Sequence, residues 1–298
     1  MSTRITNGML VRSVLADLTT VDQRLSLLQR KLSSTKEITK PSDDPYGAGR
    51  AMALRGELEA TSQYKRNVRE ALGWASVTDT ALSKIGDLAQ RARELIVRGA
   101  NDQAQTSRDA IAEEIDQLAD AMKQEASTTY DGRYVLGGTR TDIKPYTMGS
   151  DLYAGDSGAI VRQLGPGVAL GVGVRGDEVL GGSATATGDL LRVMRDVAAH
   201  LRAGDGASLG TIDLQDMQGQ IDHLLGIRAR VGATANRLET AGTRLAELEE
   251  STMQLLSETE DADIASTLVA YSTQKSVYQA ALRSGADLVQ MSLLDFLR

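Results

Sequence analysis

Three stretches carry residue types and spacings that chemistry uses. Gly171-Val-Gly173-Val-Arg-Gly176 matches the G-x-G-x-x-G fingerprint, whose glycines let backbone approach a pyrophosphate seated on a helix N-terminus. That chemistry needs a helix to follow, and Asp177-Glu-Val-Leu-Gly-Gly follows instead. Alternating Val and Gly reads as a strand or hairpin without a ligand, so a nucleotide-dependent oxidoreductase rests on this turn alone. Glu258, Glu260, Asp261 and Asp263 crowd together as carboxylates do in metal or acid–base sites. No Lys, His or hydroxyl nucleophile is tied to them by spacing, however, and acids gather equally at helix N-termini. Asp43 and Asp44 lack the spaced ligands of a calcium loop and read as turn and cap residues. His200 and His223, the only histidines, lack a second ligand at i+4. With no cysteine in 298 residues, disulfides, thiol catalysis and zinc–cysteine sites are excluded. No catalytic, cofactor or metal site emerges.

The elements that would hold such sites are long helices. One Phe, one Trp and eight Tyr leave Ala, Leu and Val to do the packing, which suits helices meeting through narrow seams. Four prolines, at 41, 45, 145 and 166, leave long intervals free of helix breakers. A net charge of -7 with interspersed Lys and Arg argues against nucleic acid. No run of about 18 apolar residues is available to span a membrane. Nor does the N-terminus show the basic segment and apolar run of a secretory signal. Composition alone would place the chain in the cytoplasm.

Val11, Val14, Leu18, Val21, Leu25, Leu28 and Leu32 alternate steps of three and four, a strict a/d seam. Such a stripe is narrow, and an isolated helix of this length is marginal in water, so it requires a partner helix. Pro41-Ser-Asp-Asp-Pro45 stops this helix and caps the next. From Pro45 to Val97 a rhythm near 3.5 residues through Leu54, Leu58, Val68, Leu72, Ala75, Leu82, Ile85 and Leu95 predicts one very long helix, interrupted at Gly99. A helix from Thr106 with Ile111, Ile115, Leu118 and Met122 inward would return antiparallel to it.

Glycine-rich sequence between Gly132 and Gly188, with β-type runs at 134–136, 160–161 and 168–174, predicts a small β insertion. Helix resumes with Leu191, Met194, Val197 and Leu201. From about Asp213 a second very long helix carries Met217, Ile221, Leu224, Val231, Leu238, Leu245, Leu248 and Leu255. The last helix bears Ile264, Leu268, Tyr271, Tyr278, Leu282 and Val289 and ends in Leu293, Leu294, Phe296 and Leu297. An apolar tip of this kind must be buried against something. The fold class is mainly α with a small β-rich insertion, an elongated helical bundle whose terminal helices pair as a coiled coil. Its expected parts are a terminal coiled coil (1–40 with 258–298), a long-helix bundle (41–130 with 187–257) and a β-rich outer part (131–186).

The terminal blocks Leu32-Ser-Ser-Thr-Lys-Glu-Ile, Pro41-Ser-Asp-Asp-Pro45, Glu260-Asp-Ala-Asp263, Tyr278-Gln-Ala-Ala-Leu282 and Ser292-Leu-Leu-Asp-Phe296-Leu resemble those of the flagellin superfamily. Gly132-Arg-Tyr134-Val-Leu-Gly-Gly-Thr139 through Pro145-Tyr146, with Tyr153-Ala-Gly155-Asp156, is similar to the members that join hook to filament. Leu136 and Tyr146 stand where that block usually has Phe. The resemblance implies export through the flagellar type III apparatus without a cleaved signal, which replaces the cytoplasmic expectation with the extracellular flagellum. It further implies ring assembly with copies of itself, the first hook-associated protein on one side, flagellin on the other, and an export chaperone. Subunit contacts would run through the two terminal seams, Val11 to Leu32 and Ile264 to Leu297. A filament-forming flagellin is the nearest alternative.

Overall fold

The computed structural model describes residues 7–101, 104–184 and 186–296, of which 7–8, 10–11 and 287–296 are described by backbone alone. Its elements in order are α1 (Asn7–Ser34), α2 (Pro45–Asn101) and α3 (Gln105–Ala126), then the hairpin β1 (Thr129–Tyr130) and β2 (Arg133–Tyr134). A second hairpin, β3 (Val161–Gly165) and β4 (Val168–Gly171), precedes α4 (Gly176–Val179) and α5 (Leu190–Ala203). A single turn, α6 (Gly206–Ser208), leads through a π-helical turn (Leu209–Asp213) into α7 (Leu214–Glu260), and α8 (Ile264–Phe296) ends the chain. Mainly helical, with two small two-stranded sheets, this is the fold class the sequence predicts.

The chain forms two compact units, residues 61–248 and residues 1–60 with 249–298. The first contains the core. α2 is 57 residues long and α7 is 47, so at 1.5 Å per residue α2 measures about 85 Å. Their antiparallel pairing follows from three contacts: Gly86 lies under Leu224, Asp79 pairs with Arg228 at 3.0 Å, and Gly242 lies under Val68. Lys84–Glu125 at 3.1 Å and Arg91–Glu114 at 2.9 Å set α3 antiparallel to α2 in the same way. α3 and α5 pack against each other, and Ala112 and Ala198 are both buried.

Contrary to the sequence expectation, α2 runs on through Gly99 to Asn101. A Cβ at Gly99 would stand 2.4 Å from Leu201 Cδ2, so this glycine admits α5 rather than ending the helix. On α7 the expected stripe holds from Met217 to Leu245 and then fails, because Leu248 and Leu255 are exposed. The heptad position below Leu245 is taken by Thr252, which is buried.

The β-rich stretch shares this core: Val135, Leu136, Tyr146, Val172 and Val174 join one buried cluster with Ile85, Ile115 and Leu224. Its first hairpin turns on Asp131 (φ 49°) and Gly132 (φ 72°), the left-handed pair that a tight two-residue β-turn demands.

In the second unit α1 and α8 pack antiparallel. The Gln274 side chain donates to the Val21 carbonyl at 3.3 Å, and a Cβ on the buried Gly285 would stand 3.1 Å from Val14 Cγ1. The linkers also meet, through an antiparallel bridge between Lys36 and Asp261. Asp44 caps α2, accepting from the Tyr46 and Gly47 amides at 3.0 Å each. Asp263 caps α8, accepting from the Ala265 amide at 3.0 Å and the Ser266 amide at 3.3 Å.

Candidate assembly surface

The α1 seam is where its spacing puts it. Val14, Leu18, Val21, Leu25, Leu28 and Leu32 are all half-buried, and none is fully buried. Val11 lies in α1, with its side chain outside the described residues. On α8 the face turned inward carries Thr267, Tyr271, Gln274, Tyr278, Ala281 and Gly285, again at steps of four and three. Tyr271 and Tyr278 therefore sit in the seam as expected.

Ile264, Leu268 and Leu282 do not; they are 44%, 56% and 44% exposed. At 100° per residue they form a separate strip beside the inward face, leaving three large apolar side chains uncovered. The seam was legible in the sequence only as a set of apolar letters. A polar Gln and a Gly occupy two of its positions, and an apolar periodicity reading passes over both. Val289, Leu293, Leu294 and Phe296 belong to α8 by backbone, with side chains outside the described residues, and Leu297 lies outside them altogether.

The stretches suited to chemistry serve packing. Val172 and Val174 are buried, Gly173 faces Ile160, and Gly176 lies against the rings of Tyr146 and Tyr153. α4, at four residues, is a single turn. Each acid before α8 has its own partner. Glu258 accepts from Gln254 at 3.1 Å, Asp261 from Ser257 Oγ at 2.6 Å, Asp263 caps α8, and Glu260 pairs with Lys36 and Arg55. Asp43 accepts from the amides of Thr39 at 3.2 Å and Lys40 at 2.9 Å and from the Thr39 hydroxyl, which hold its carboxyl below the usual range. His200 Nδ1 meets Asp213 Oδ2 at 2.8 Å, and His223 Nε2 donates to the Glu178 carbonyl at 2.9 Å.

The Gly132–Asp156 block forms a closed knot. Tyr134 N donates to the Thr141 carbonyl at 2.9 Å and Ala154 N to that of Pro145 at 2.9 Å. Asp156 accepts from the Thr139 hydroxyl and amide, the latter at 2.6 Å, and from the Gly158 amide at 3.2 Å. The Thr139 hydroxyl above all holds this carboxyl below the usual range. Gly138, at φ 70°, leaves no room for a side chain against Asp156. Tyr146, where the related block has Phe, is buried, and its hydroxyl donates to the Gly181 carbonyl at 2.6 Å. Burial raises its pKa, and the nearby Asp177 adds to the rise. Tyr153 donates to the Leu136 carbonyl at 3.0 Å.

Comparison with known proteins places this arrangement. The bacterial flagellin N-terminal helical region matches residues 5–141, and the bacterial flagellin C-terminal helical region matches residues 214–297. Flagellar hook-associated protein 3 of Escherichia coli is 25% identical over 284 residues, covering 88% of this chain and 90% of that protein. Its counterpart in Salmonella typhimurium is 23% identical over 316 residues, covering 99% of this chain and 100% of that protein. The solved structure of a putative flagellar hook-associated protein from Vibrio parahaemolyticus shares the fold, with TM-score 0.66 and 19% identity, over 74% of this chain and 100% of that one. The two matched regions together take in most of the chain, which belongs to the flagellin superfamily and is a structural component of the bacterial flagellum.

Proposed function

We propose that this chain forms the junction between hook and filament, and that its terminal helices make the subunit contacts. The likeness to hook-associated protein 3 along almost the whole length carries the first part of this reading. The uncovered strip of Ile264, Leu268 and Leu282 supports the second, because apolar side chains aligned beside a half-buried seam gain by burial in a neighbouring subunit. The role is structural rather than catalytic. Its partners are other copies of the chain in a ring, the first hook-associated protein on the hook side and flagellin on the filament side. Delivery follows the flagellar type III route with an export chaperone. A layer of one subunit type with unlike faces can join two different lattices.

Deleting the gene and imaging the cells tests this: intact hooks without filaments, and flagellin in the medium, are the expected outcome. Purified protein should not elongate by itself. Long filaments grown from the pure chain would sink the junction reading in favour of a filament subunit.

A further inference from the structure

Helices α7 and α8 are separated by three residues, and α1 and α2 by ten, a spacing that leaves room for two hinges. The side chains there describe something stiffer. Glu260, whose side chain is only 5% exposed, is paired by Lys36 from the first linker and by Arg55 from the start of α2. Around it the main chains cross-link: Glu37 N donates to the Glu260 carbonyl at 2.7 Å, and Ala262 N donates to the Thr35 carbonyl at 3.0 Å. Lys31 at the end of α1 pairs with Glu37. Thr35 sits at φ 58°, a left-handed conformation that a β-branched residue adopts only when its surroundings impose it.

We propose that Glu260 is the pin of an ionic latch that locks the two linkers together, so that the terminal helix pair is held to the ends of α2 and α7 instead of pivoting on two free loops. A buried carboxylate with two cations is held from both sides, and losing its charge removes both ion pairs at once. Each cation alone still leaves the carboxylate a partner. Being intramolecular, the latch is independent of whether the chain sits at the hook–filament junction.

Hydrogen exchange on the full chain reads the latch directly, at the Glu37 and Ala262 amides. In Glu260→Gln both should exchange on the order of tenfold faster or more, while buried amides of residues 61–248, such as that of Leu95, keep their wild-type rates. Lys36→Met and Arg55→Met should each exchange more slowly at these two amides than the double variant, which should match Glu260→Gln. Unchanged exchange at Glu37 and Ala262 in Glu260→Gln would overturn the proposal. So would acceleration spread equally to Leu95, since that would mark general loss of stability rather than a local latch.

Discussion

Residues 61–248 and the terminal unit are both built from long helices carrying heptad-like apolar spacing, yet they end in different states. In residues 61–248 a continuous cluster from Val68 to Leu245 is buried, and α2, α3, α5, α7 and the β-rich stretch all contribute to it. In the terminal unit Ala51 carries the only fully buried hydrophobic side chain among the described residues. Its seam consists of one helix against another, and a two-helix contact covers only one side of each residue. The same a/d pattern therefore yields a finished core where a third and fourth element are present, and a half-covered surface where they are absent. The first arrangement encloses its own apolar side chains, and the second leaves part of its seam open.

The sharpest way to break this comparison is to place a charge in each seam. Ile115→Asp, which buries an unpaired carboxylate in a fully enclosed site, should cost about 5 kcal/mol and abolish the cooperative thermal transition of residues 61–248. Leu25→Asp, in the half-buried seam, should leave that transition in place and abolish filament attachment in cells. If Leu25→Asp cells swim normally, the terminal unit is not the assembly surface.

A smaller effect sharpens the boundary between the two regions. Asp44→Ala and Asp263→Ala each remove a capping carboxylate and should each cost about 1 kcal/mol of local helix stability. Amide exchange should show the loss at the first turns of α2 and α8, with residues 61–248 unaffected. Equal loss throughout would mean that the two units unfold as one.

The smallest effect is a pH dependence confined to residues 61–248. Hydrogen bonding to Asp213 raises His200 above its ordinary pKa of 6.5, and burial raises Asp213 above the ordinary carboxylate value of 3.8 against the pull of the imidazole. Both groups therefore hold protons more tightly in the folded state. The His200 contribution is fully present below 6.5 and is lost as pH rises through its raised folded value. The thermal midpoint of residues 61–248 should fall across that interval, and His200→Ala should flatten this part of the profile. A midpoint that rises with pH there would contradict the assignment.

The sequence alone determined which segments are helical and where they break. Proline placement, capping aspartates and heptad spacing are local, and they appear as α1, α2, α7 and α8 close to the expected limits. It also supplied the inward residues of α1 and, in the Gly132–Asp156 block, a pattern dense enough to resemble one family.

Tertiary structure decided what each position is for. Gly99 looked like a helix breaker and is the space into which Leu201 fits. Leu248 and Leu255 have the right period but are exposed, while Thr252 is buried and Gly285 lies against Val14 and Leu18. Glu260 is indistinguishable in sequence from the acids around it, and only the meeting of two linkers 224 residues apart gives it Lys36. Local pattern specifies an element, because backbone preference acts over a few residues. Burial and pairing depend on which surfaces the chain brings together, and those contacts join residues that no short-range pattern connects.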